Sequence, residues 1–242
     1  MKTSTPIYRL KQTARRKARG EGIPLHAALD RIAVEEGYRN WGHLSRRQSD
    51  GRTVTALYRA LAPGDLVISA ARPGQGKTLL ALALAVEAMK AGNPACFFSL
   101  DYTRADVADR FGALKIDPDA FDDRFVFDGS EMISAGHIIA RMGDASPGTF
   151  AVIDYLQLLD QRRENPDLMT QIRDLRRFAR ARQITFVCIS QIDRSYDPAR
   201  QPFPALSDIR LPNPLDLELF DKACFLNGGE IRFEAIAGSE AI

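Results

Sequence analysis

The sequence predicts an α/β fold, with a mostly parallel twisted sheet, helices on both faces, a C-terminal antiparallel strand pair and a small N-terminal helical module. Two observations support this fold class. Short apolar runs alternate with longer amphipathic segments between residues 66 and 190, which is typical of parallel strands joined by helices. Two later apolar runs flank an Asn-Gly-Gly sequence at residues 227–229, which is typical of a tight turn between antiparallel strands.

The N-terminal module is expected to span residues 1–52 and to consist of short helices. A basic helix is predicted over residues 7–19, and a second one over residues 24–36 because its apolar side chains recur at helical spacing. A third turn carries Trp41, the one tryptophan of the chain. The second predicted domain comprises residues 53–242.

The two predicted domains differ in charge. Residues 1–52 contain 12 Lys and Arg but 5 Asp and Glu, a net charge of +7, whereas the remainder carries −5 and the whole chain +2. A basic module on an acidic core indicates a polyanion partner, although a solvated helix face explains the charge equally well.

The composition is that of a globular protein with one good-sized core. The chain has 242 residues, of which 45% are hydrophobic. Its longest apolar run, residues 79–86, is far shorter than the ~20 residues of a membrane span, and the N-terminus lacks a secretory pattern. We therefore expect a cytoplasmic protein without a membrane partner.

The second domain is predicted to begin with a short helix and then to alternate strands with helices. The predicted strands cover residues 66–70, 95–100, 124–127, 149–154, 184–190, 222–226 and 230–236. The predicted helices cover residues 54–61, 79–91, 103–114, 134–142 and 167–182. Five arginines of the last helix are expected to form its solvated face, namely Arg173, Arg176, Arg177, Arg180 and Arg182.

A glycine-rich segment, Ala71-Arg72-Pro73-Gly74-Gln75-Gly76-Lys77-Thr78, joins the first strand to the following helix. Apart from Ala71 at the first position, it matches the pattern G-x-x-x-x-G-K-[ST]. In that pattern backbone N–H groups surround phosphates, the lysine reaches the β and γ oxygens, and the hydroxyl holds Mg²⁺. The residues expected to surround the phosphates are Arg72, Pro73, Gly74, Gln75, Gly76, Lys77, Thr78 and Leu79.

Polar side chains are also expected where three other strands end. Asp101 follows the strand at 95–100, Asp154 ends the strand at 149–154, and Gln191 follows the strand at 184–190. The carboxyl ends of parallel strands form the ligand-binding edge of such a sheet. A carboxylate at the end of an apolar strand orients Mg²⁺ in phosphate-loop sites, and Gln191 is placed to sense a γ-phosphate.

The motifs ARPGQGKT, FFSLD, VIDYLQLL, FVCISQIDR and LSDIR, followed by FDKACFLN, occur in a familiar order and spacing. The chain resembles, over about residues 60–228, the RecA-like motor domain of DnaB-family replicative DNA helicases. This resemblance implies a RecA-like P-loop NTPase fold with ATP and Mg²⁺ as cofactors. It also implies a homo-oligomeric ring of the hexamer type that moves along single-stranded DNA and takes part in DNA replication.

The resemblance implies a role for four residues. Lys77 binds phosphate, Thr78 holds the Mg²⁺ ion, Asp154 orients that ion, and Gln191 senses the γ-phosphate. Asp101 stands where the family has a Glu that positions the attacking water. Because Asp is one methylene shorter and near-attack geometry is sensitive to shifts of about 1 Å, we expect slow hydrolysis. The expected catalytic set is Lys77, Asp101, Asp154 and Gln191.

Two further departures from the family concern the ends of the chain. The family's Lys/Arg fingers, which reach the neighbouring subunit's phosphate, lie late in the C-terminal strand pair. Here that region reads EIRFEAIAG, in which Arg232 is the only cation and lies some residues too early. The basic module over residues 1–52 stands in place of the family's own N-terminal domain and linker helix.

By the same resemblance, DNA contacts are expected on the loops over residues 161–166 and 193–205. The candidate residues are Arg162, Arg163, Arg194, Tyr196 and Arg200. Arginines on loops can follow a phosphate backbone, and a tyrosine can stack on a base. A pair of solvated loops without a nucleic-acid role is the alternative.

Two functions are therefore predicted. The first is an ATP-dependent helicase or translocase acting on single-stranded DNA. The second is a regulatory ATP-binding switch that binds DNA or a protein partner and hydrolyses little, which Asp101 and the absent fingers favour. ATP turnover with and without single-stranded DNA separates the two.

Overall fold

A computed structural model describes residues 7–42, 44, 54–121, 123–160, 162, 164–198, 200–211 and 213–236. The chain divides into two compact units, with the division between Ala56 and Leu57. The predicted domain boundary, between residues 52 and 53, lies outside the described residues.

In the described part of the first unit, helices α1 (Ile7–Glu21) and α2 (Leu25–Glu35) pack against each other. Its core joins Leu10 and Ala14 of α1 to Ile32 of α2. Trp41 packs against this core, and its backbone N–H donates to Asp30 Oδ1 at 2.9 Å. The two helices lie where the sequence predicts them.

The second unit is built on one sheet. In chain order its described strands are β1 (Leu66–Ala71), β2 (Ala95–Ser99), β3 (Phe125–Asp128), β4 (Phe150–Asp154), β5 (Thr185–Gln191), β6 (Lys222–Asn227) and β7 (Glu230–Ala235). Their order across the sheet is β3-β2-β4-β5-β1-β6-β7. Every neighbouring pair is parallel except β6 and β7, which are antiparallel. The predicted fold class is confirmed.

From residue 54 onward the described α-helices are α3 (Val54–Arg59), α4 (Lys77–Lys90), α5 (Arg104–Ala113), α6 (Ala135–Arg141) and α7 (Leu168–Arg182). The last three begin at a side chain that accepts a backbone hydrogen bond, namely that of Thr103, Ser134 and Asp167 respectively. None of the described helices is both long and apolar enough to cross a lipid bilayer.

Both faces of the sheet are buried. Ile68 and Ile153 belong to a core that α6 and α7 complete. Val67 and Val152, their neighbours in the same strands, are also buried. Successive strand residues point to opposite faces, so both faces are covered. Helix α4 packs against β1, β2, β4 and β5, which places the start of α4 beside the ends of these strands.

Arginines of α7 fix the amino end of the sheet. The carboxylate of Asp221 accepts a hydrogen bond from Arg180 at 3.0 Å, and a nitrogen of Arg176 lies 3.7 Å from the same oxygen. The other oxygen of Asp221 accepts from the first N–H of β1 at 2.8 Å. The prediction of a solvated arginine face is therefore wrong for Arg176, whose side chain is 13% exposed. It holds for Arg173, Arg177, Arg180 and Arg182, which are exposed.

Candidate nucleotide-binding site

The strand order brings the predicted site residues to one edge of the sheet. Ala71, at the end of β1, pairs with Gln191 of β5, and Asp154 of β4 lies between Ser99 of β2 and Ile189 of β5. A cavity of about 530 Å³ opens at this edge. Strands β4 and β5 are inserted between β1 and β2, so the site lies at a change of direction in the strand order, where α/β sheets bind ligands.

The four residues predicted to be catalytic all line this cavity, namely Lys77, Asp101, Asp154 and Gln191. Six of the predicted phosphate-binding residues also line it: Pro73, Gly74, Gly76, Lys77, Thr78 and Leu79. The side chains of the other two make different contacts. Arg72 binds the loop after β5, and Gln75 accepts a hydrogen bond from the N–H of Gly228 at 2.9 Å.

Gly74 and Gly76 shape the loop that the cavity borders. Their φ angles are +75° and +86°, a region that residues with a Cβ rarely adopt. A Cβ added at either position meets no atom within 4 Å, so the space beside the loop backbone is open. Gly76 directly precedes α4, whose N-terminus carries unpaired N–H groups and a partial positive charge. This cradle fits a polyphosphate.

Thr78 and Asp154 meet inside the site. The hydroxyl of Thr78 donates to Oδ2 of Asp154 at 2.7 Å. Burial raises the pKa of the Asp154 carboxyl to about 6, the bond from Thr78 opposes this shift, and the negative charge of Asp101 adds to it. A buried carboxylate paired with a hydroxyl is a suitable environment for a hard cation such as Mg²⁺.

Lys77 lies at the start of α4 with its ammonium over the loop. Its Nζ donates to the carbonyl of Arg72 at 3.3 Å. Burial lowers the pKa of this ammonium, and the carboxylate of Asp154 opposes the shift. The positive charge therefore lies in the same cavity as the carboxylate, between the loop backbone and the end of β4.

The lining of the cavity also contains two residues that sequence reasoning missed. The hydroxyl of Tyr102 lies 3.5 Å from Oγ1 of Thr78, and Cζ of Arg110 lies 4.0 Å from the centre of the Tyr102 ring. Both line the cavity. Tyr102 directly follows Asp101, which is a usable signal, but nothing in the spacing of Arg110 on α5 marks it. Asp101 itself is exposed to solvent at the cavity rim.

The predicted DNA-contacting arginines occupy different environments. Arg194 and Arg200 are exposed, and Arg200 lies 3.8 Å from the carboxylate of Asp197. Arg162 is partly exposed and pairs with Glu164 at 3.4 Å. Arg163 lies outside the described residues.

The prediction that Tyr196 stacks on a base does not fit its position. Only 5% of Tyr196 is exposed, and the residue belongs to the hydrophobic core. Its ring lies under the guanidinium of Arg72, with 5.5 Å between Cζ and the ring centre. Its hydroxyl donates to the carbonyl of Gln201 at 2.9 Å. A ring covered and buried in this way is not available to a nucleic-acid base.

Arg232 of β7 is engaged within its own sheet. It donates to the carboxylate of Glu234 at 2.9 Å, and its guanidinium carbon lies 5.3 Å from the ring centre of Phe225. These contacts hold the one cation of β7 against neighbouring strand residues.

Comparison with protein families gives a match over most of the chain. A sequence model of the DnaB-like helicase C-terminal domain matches residues 49–117 and 120–216, well over half of the chain. A replicative DNA helicase DnaB of Leifsonia xyli subsp. xyli (strain CTCB07) is 28% identical over 185 residues, which cover 64% of this chain and 40% of the relative. A replicative DNA helicase DnaB of Synechocystis sp. (strain ATCC 27184 / PCC 6803 / Kazusa) is 26% identical over 191 residues, 65% of this chain and 22% of the relative. The chain thus spans less than half of the length of either relative.

Two solved structures resemble the fold. One, described as an ATPase domain, superposes with a TM-score of 0.54 at 21% identity, covering 76% of this chain and 79% of that one. The other, a DnaB-like replicative helicase described with its interactions with primase, gives a TM-score of 0.55 at 17% identity, covering 90% of this chain and 64% of that one. At these identities the similarity establishes a RecA-like fold.

Proposed function

We propose a function for this chain, which belongs to the family of DnaB-like helicase C-terminal domains. It is an ATP-driven motor domain of the helicase or translocase type that acts on single-stranded DNA. The observation that carries this proposal is the pairing of Thr78 with Asp154 inside the phosphate-loop cavity. It joins the two halves of a nucleotide site that are far apart in sequence.

The loop and the start of α4 would hold the phosphates of ATP. The backbone around Gly74 and Gly76 borders the open cradle, and Lys77 brings a positive charge to the β and γ oxygens. Thr78 would hold Mg²⁺ and Asp154 would orient it. When bound, the ion neutralises charge on the phosphate oxygens. Because Asp154 accepts from Thr78 at 2.7 Å, both oxygens are already close together.

Asp101 and Gln191 would act on the γ-phosphate side. Asp101 lies at the exposed rim of the cavity, where its carboxylate is within reach of solvent water that it would position and deprotonate. Gln191 pairs with Ala71 across β5 and β1, so it lies beside the first residue of the phosphate loop. We propose that it senses the γ-phosphate. The short side chain of Asp101 favours slow turnover.

DNA contact is proposed for the loops that follow β4 and β5. The exposure of Arg194 and Arg200 supports a role in following a phosphate backbone, and Arg162 on the other loop is partly exposed. We extend the proposal to a homo-oligomeric ring, in which each site borders a neighbouring subunit. The basic N-terminal unit would add electrostatic attraction to nucleic acid.

A nucleotide-sensing switch is the second candidate function. Arg232 is the one cation of the segment EIRFEAIAG and binds Glu234 of its own chain, which leaves a neighbouring site without an evident finger. Such fingers raise the catalytic rate by a factor of roughly 10³ to 10⁵ in other phosphoryl-transfer enzymes. A chain without one would bind ATP and change conformation with little turnover.

The test is the rate of ATP hydrolysis by the full chain at saturating Mg·ATP, with and without single-stranded DNA. The motor predicts turnover above that of the Lys77→Ala variant and a further increase with DNA. The switch predicts ATP binding with turnover at the Lys77→Ala level under both conditions. Failure to bind ATP contradicts both candidates.

A further inference from the structure

Arg72 points away from the nucleotide cavity although it belongs to the phosphate loop. Its guanidinium donates to the carbonyl of Arg194 at 3.1 Å and to the carbonyl of Tyr196, and it lies over the Tyr196 ring at 5.5 Å. All three contacts are made to the post-β5 segment, defined as residues 193–203. A charged planar donor that binds two carbonyls and an aromatic face is held more firmly than a neutral side chain.

Tyr196 connects this contact to the rest of the segment. Its hydroxyl donates to the carbonyl of Gln201 and lies 3.4 Å from Nδ2 of Asn227. Asn227 also donates to the carbonyl of Pro202 at 2.7 Å. Burial raises the pKa of the Tyr196 hydroxyl, which therefore remains a donor at neutral pH. These bonds tie Tyr196 to Gln201, and they tie both Tyr196 and Pro202 to Asn227, the last residue of β6.

A further hydrogen bond connects these contacts back to the phosphate loop. The N–H of Gly228 donates to Oε1 of Gln75 at 2.9 Å, so the turn between β6 and β7 returns to the phosphate loop. The sequence of contacts thus runs from Arg72 through Tyr196 and Asn227 to Gly228 and back to Gln75. The loop that borders the cavity cannot shift without straining this closed set of hydrogen bonds.

Lys77 provides the link from the cavity to Arg72. Its ammonium donates to the backbone carbonyl of Arg72 at 3.3 Å. A triphosphate in the cradle competes for the same ammonium, because a phosphate oxygen is a stronger acceptor than a carbonyl. The backbone at Arg72 therefore experiences a different environment when phosphate is bound.

We infer that Arg72 is a positioning residue that transmits occupation of the phosphate loop to the post-β5 segment and to the exposed arginines on it. This inference rests on the proposed binding of a nucleotide at the loop. Phosphate contacts immobilise the loop backbone and hold the Arg72 guanidinium at its two carbonyls. Arg194 and Arg200 are then presented in one arrangement when nucleotide is bound and in a looser one when it is absent.

The test is hydrogen–deuterium exchange of the full chain, with and without the slowly hydrolysed analogue ATPγS and Mg²⁺. Each protein is saturated according to its own titration, and peptides covering residues 193–203 are followed. Loss or gain of hydrogen bonds from a charged donor corresponds to about a tenfold change in exchange. In the wild type we expect exchange of this segment to slow by about tenfold on adding Mg·ATPγS.

Five variants make the test specific. Arg72→Gln removes the charged donor and should bring the ratio of rates with and without nucleotide close to one. Tyr196→Leu removes the ring and the hydroxyl but leaves both backbone carbonyls, so it should bring the ratio part of the way to one, and the double variant should match Arg72→Gln. Tyr196→Phe keeps the ring under Arg72 and should retain most of the wild-type ratio. Arg177→Gln removes an arginine that is 79% exposed and should leave the ratio unchanged.

Several outcomes would overturn the inference. One is a wild-type segment that does not respond although ATPγS binds, and another is an Arg72→Gln variant that keeps the wild-type ratio. A merely structural Arg72 would speed exchange equally in both states and leave the ratio intact. If Arg72→Gln fails to bind ATPγS, Tyr196→Leu decides, since it lies outside the phosphate loop. A wild type without affinity for ATPγS contradicts the proposed function first, and the inference with it.

Discussion

The hydroxyl of Thr78 and the carboxylate of Asp154 lie 2.7 Å apart, although 76 positions separate the two residues in the chain. Thr78 is placed by the phosphate loop and α4, and Asp154 by the buried strand β4. Asp154 is 4% exposed and the pKa of its carboxyl is raised to about 6, mainly by burial. The site therefore contains an acid that is costly to ionise until a cation joins it.

Replacement of Asp154 by Asn is expected to stabilise the protein in the absence of Mg²⁺ and nucleotide. Because the pKa of Asp154 is raised in the folded state, the folded protein binds more protons than the unfolded one between about pH 4 and pH 6. The free energy of unfolding of the wild type therefore falls as the pH rises through that window. Above pH 6 the full pKa shift lowers the free energy of unfolding of the wild type by roughly 2 to 3 kcal/mol. Urea unfolding at several pH values should show the Asn variant gaining over wild type as pH rises from 4 to 7.

The control is Asp144→Asn, which changes an exposed carboxylate. Its stability difference from the wild type should vary little between pH 4 and pH 7. If Asp154→Asn behaves like Asp144→Asn, the Asp154 carboxyl does not carry the raised pKa.

Asp101→Glu is expected to raise ATP turnover, because one added methylene extends the carboxylate toward the attacking water. Asp101→Asn should lower turnover while nucleotide affinity stays near that of the wild type, since positioning matters in the transition state more than in binding. Rates are measured at saturating Mg·ATP with single-stranded DNA. Asp109→Asn, on the exposed side of α5, is the matched control.

Turnover clearly above background that Asp101→Asn leaves unchanged would remove Asp101 from the catalytic set. If the chain is a switch, all of these variants should stay at the level of Lys77→Ala. The two results are distinguishable because only the first shows wild-type turnover.

Neutralising Arg15, Arg16 and Arg19 to Gln is expected to weaken binding to single-stranded DNA in the full chain. These three side chains are exposed on α1, within the +7 N-terminal region. Three lost phosphate contacts should lower the slope of log affinity against log salt by about 2. The double variant Arg173→Gln and Arg177→Gln removes exposed charge from α7 as a control. Equal slopes for all three proteins would show that the N-terminal unit has no electrostatic role.

Much of the fold follows from sequence pattern alone. The strands and helices lie within a few residues of their predicted positions because each is specified by a local apolar period and by end signals such as Thr103, which caps α5. The membership of the DnaB-like family was likewise predicted from motifs such as ARPGQGKT and VIDYLQLL, and the family comparison confirms it. The order of the strands was not predicted, since pairing depends on contacts distant in sequence.

The errors concern residues whose environment is set by distant partners. Tyr196 lies in a polar loop, and nothing near it in sequence indicates that Arg72 covers its ring. Arg176 repeats at a spacing typical of a solvated face, yet its side chain is 13% exposed and lies 3.7 Å from the carboxylate of Asp221, far along the chain. Arg110 faces the nucleotide cavity because of how α5 packs, which no local pattern indicates.

Whether the cavity beside the phosphate loop holds a triphosphate is decided by one titration. The affinity of the full chain for a fluorescent ATP analogue with Mg²⁺ is compared among the wild type, Lys77→Ala and Lys90→Ala, the last at the exposed far end of the same helix. We expect Lys77→Ala to lose about 10- to 100-fold in affinity with an unchanged circular dichroism spectrum, because it removes one charged contact and no core side chain. Lys90→Ala should bind like the wild type. Equal affinity of all three proteins would contradict nucleotide binding at the phosphate loop.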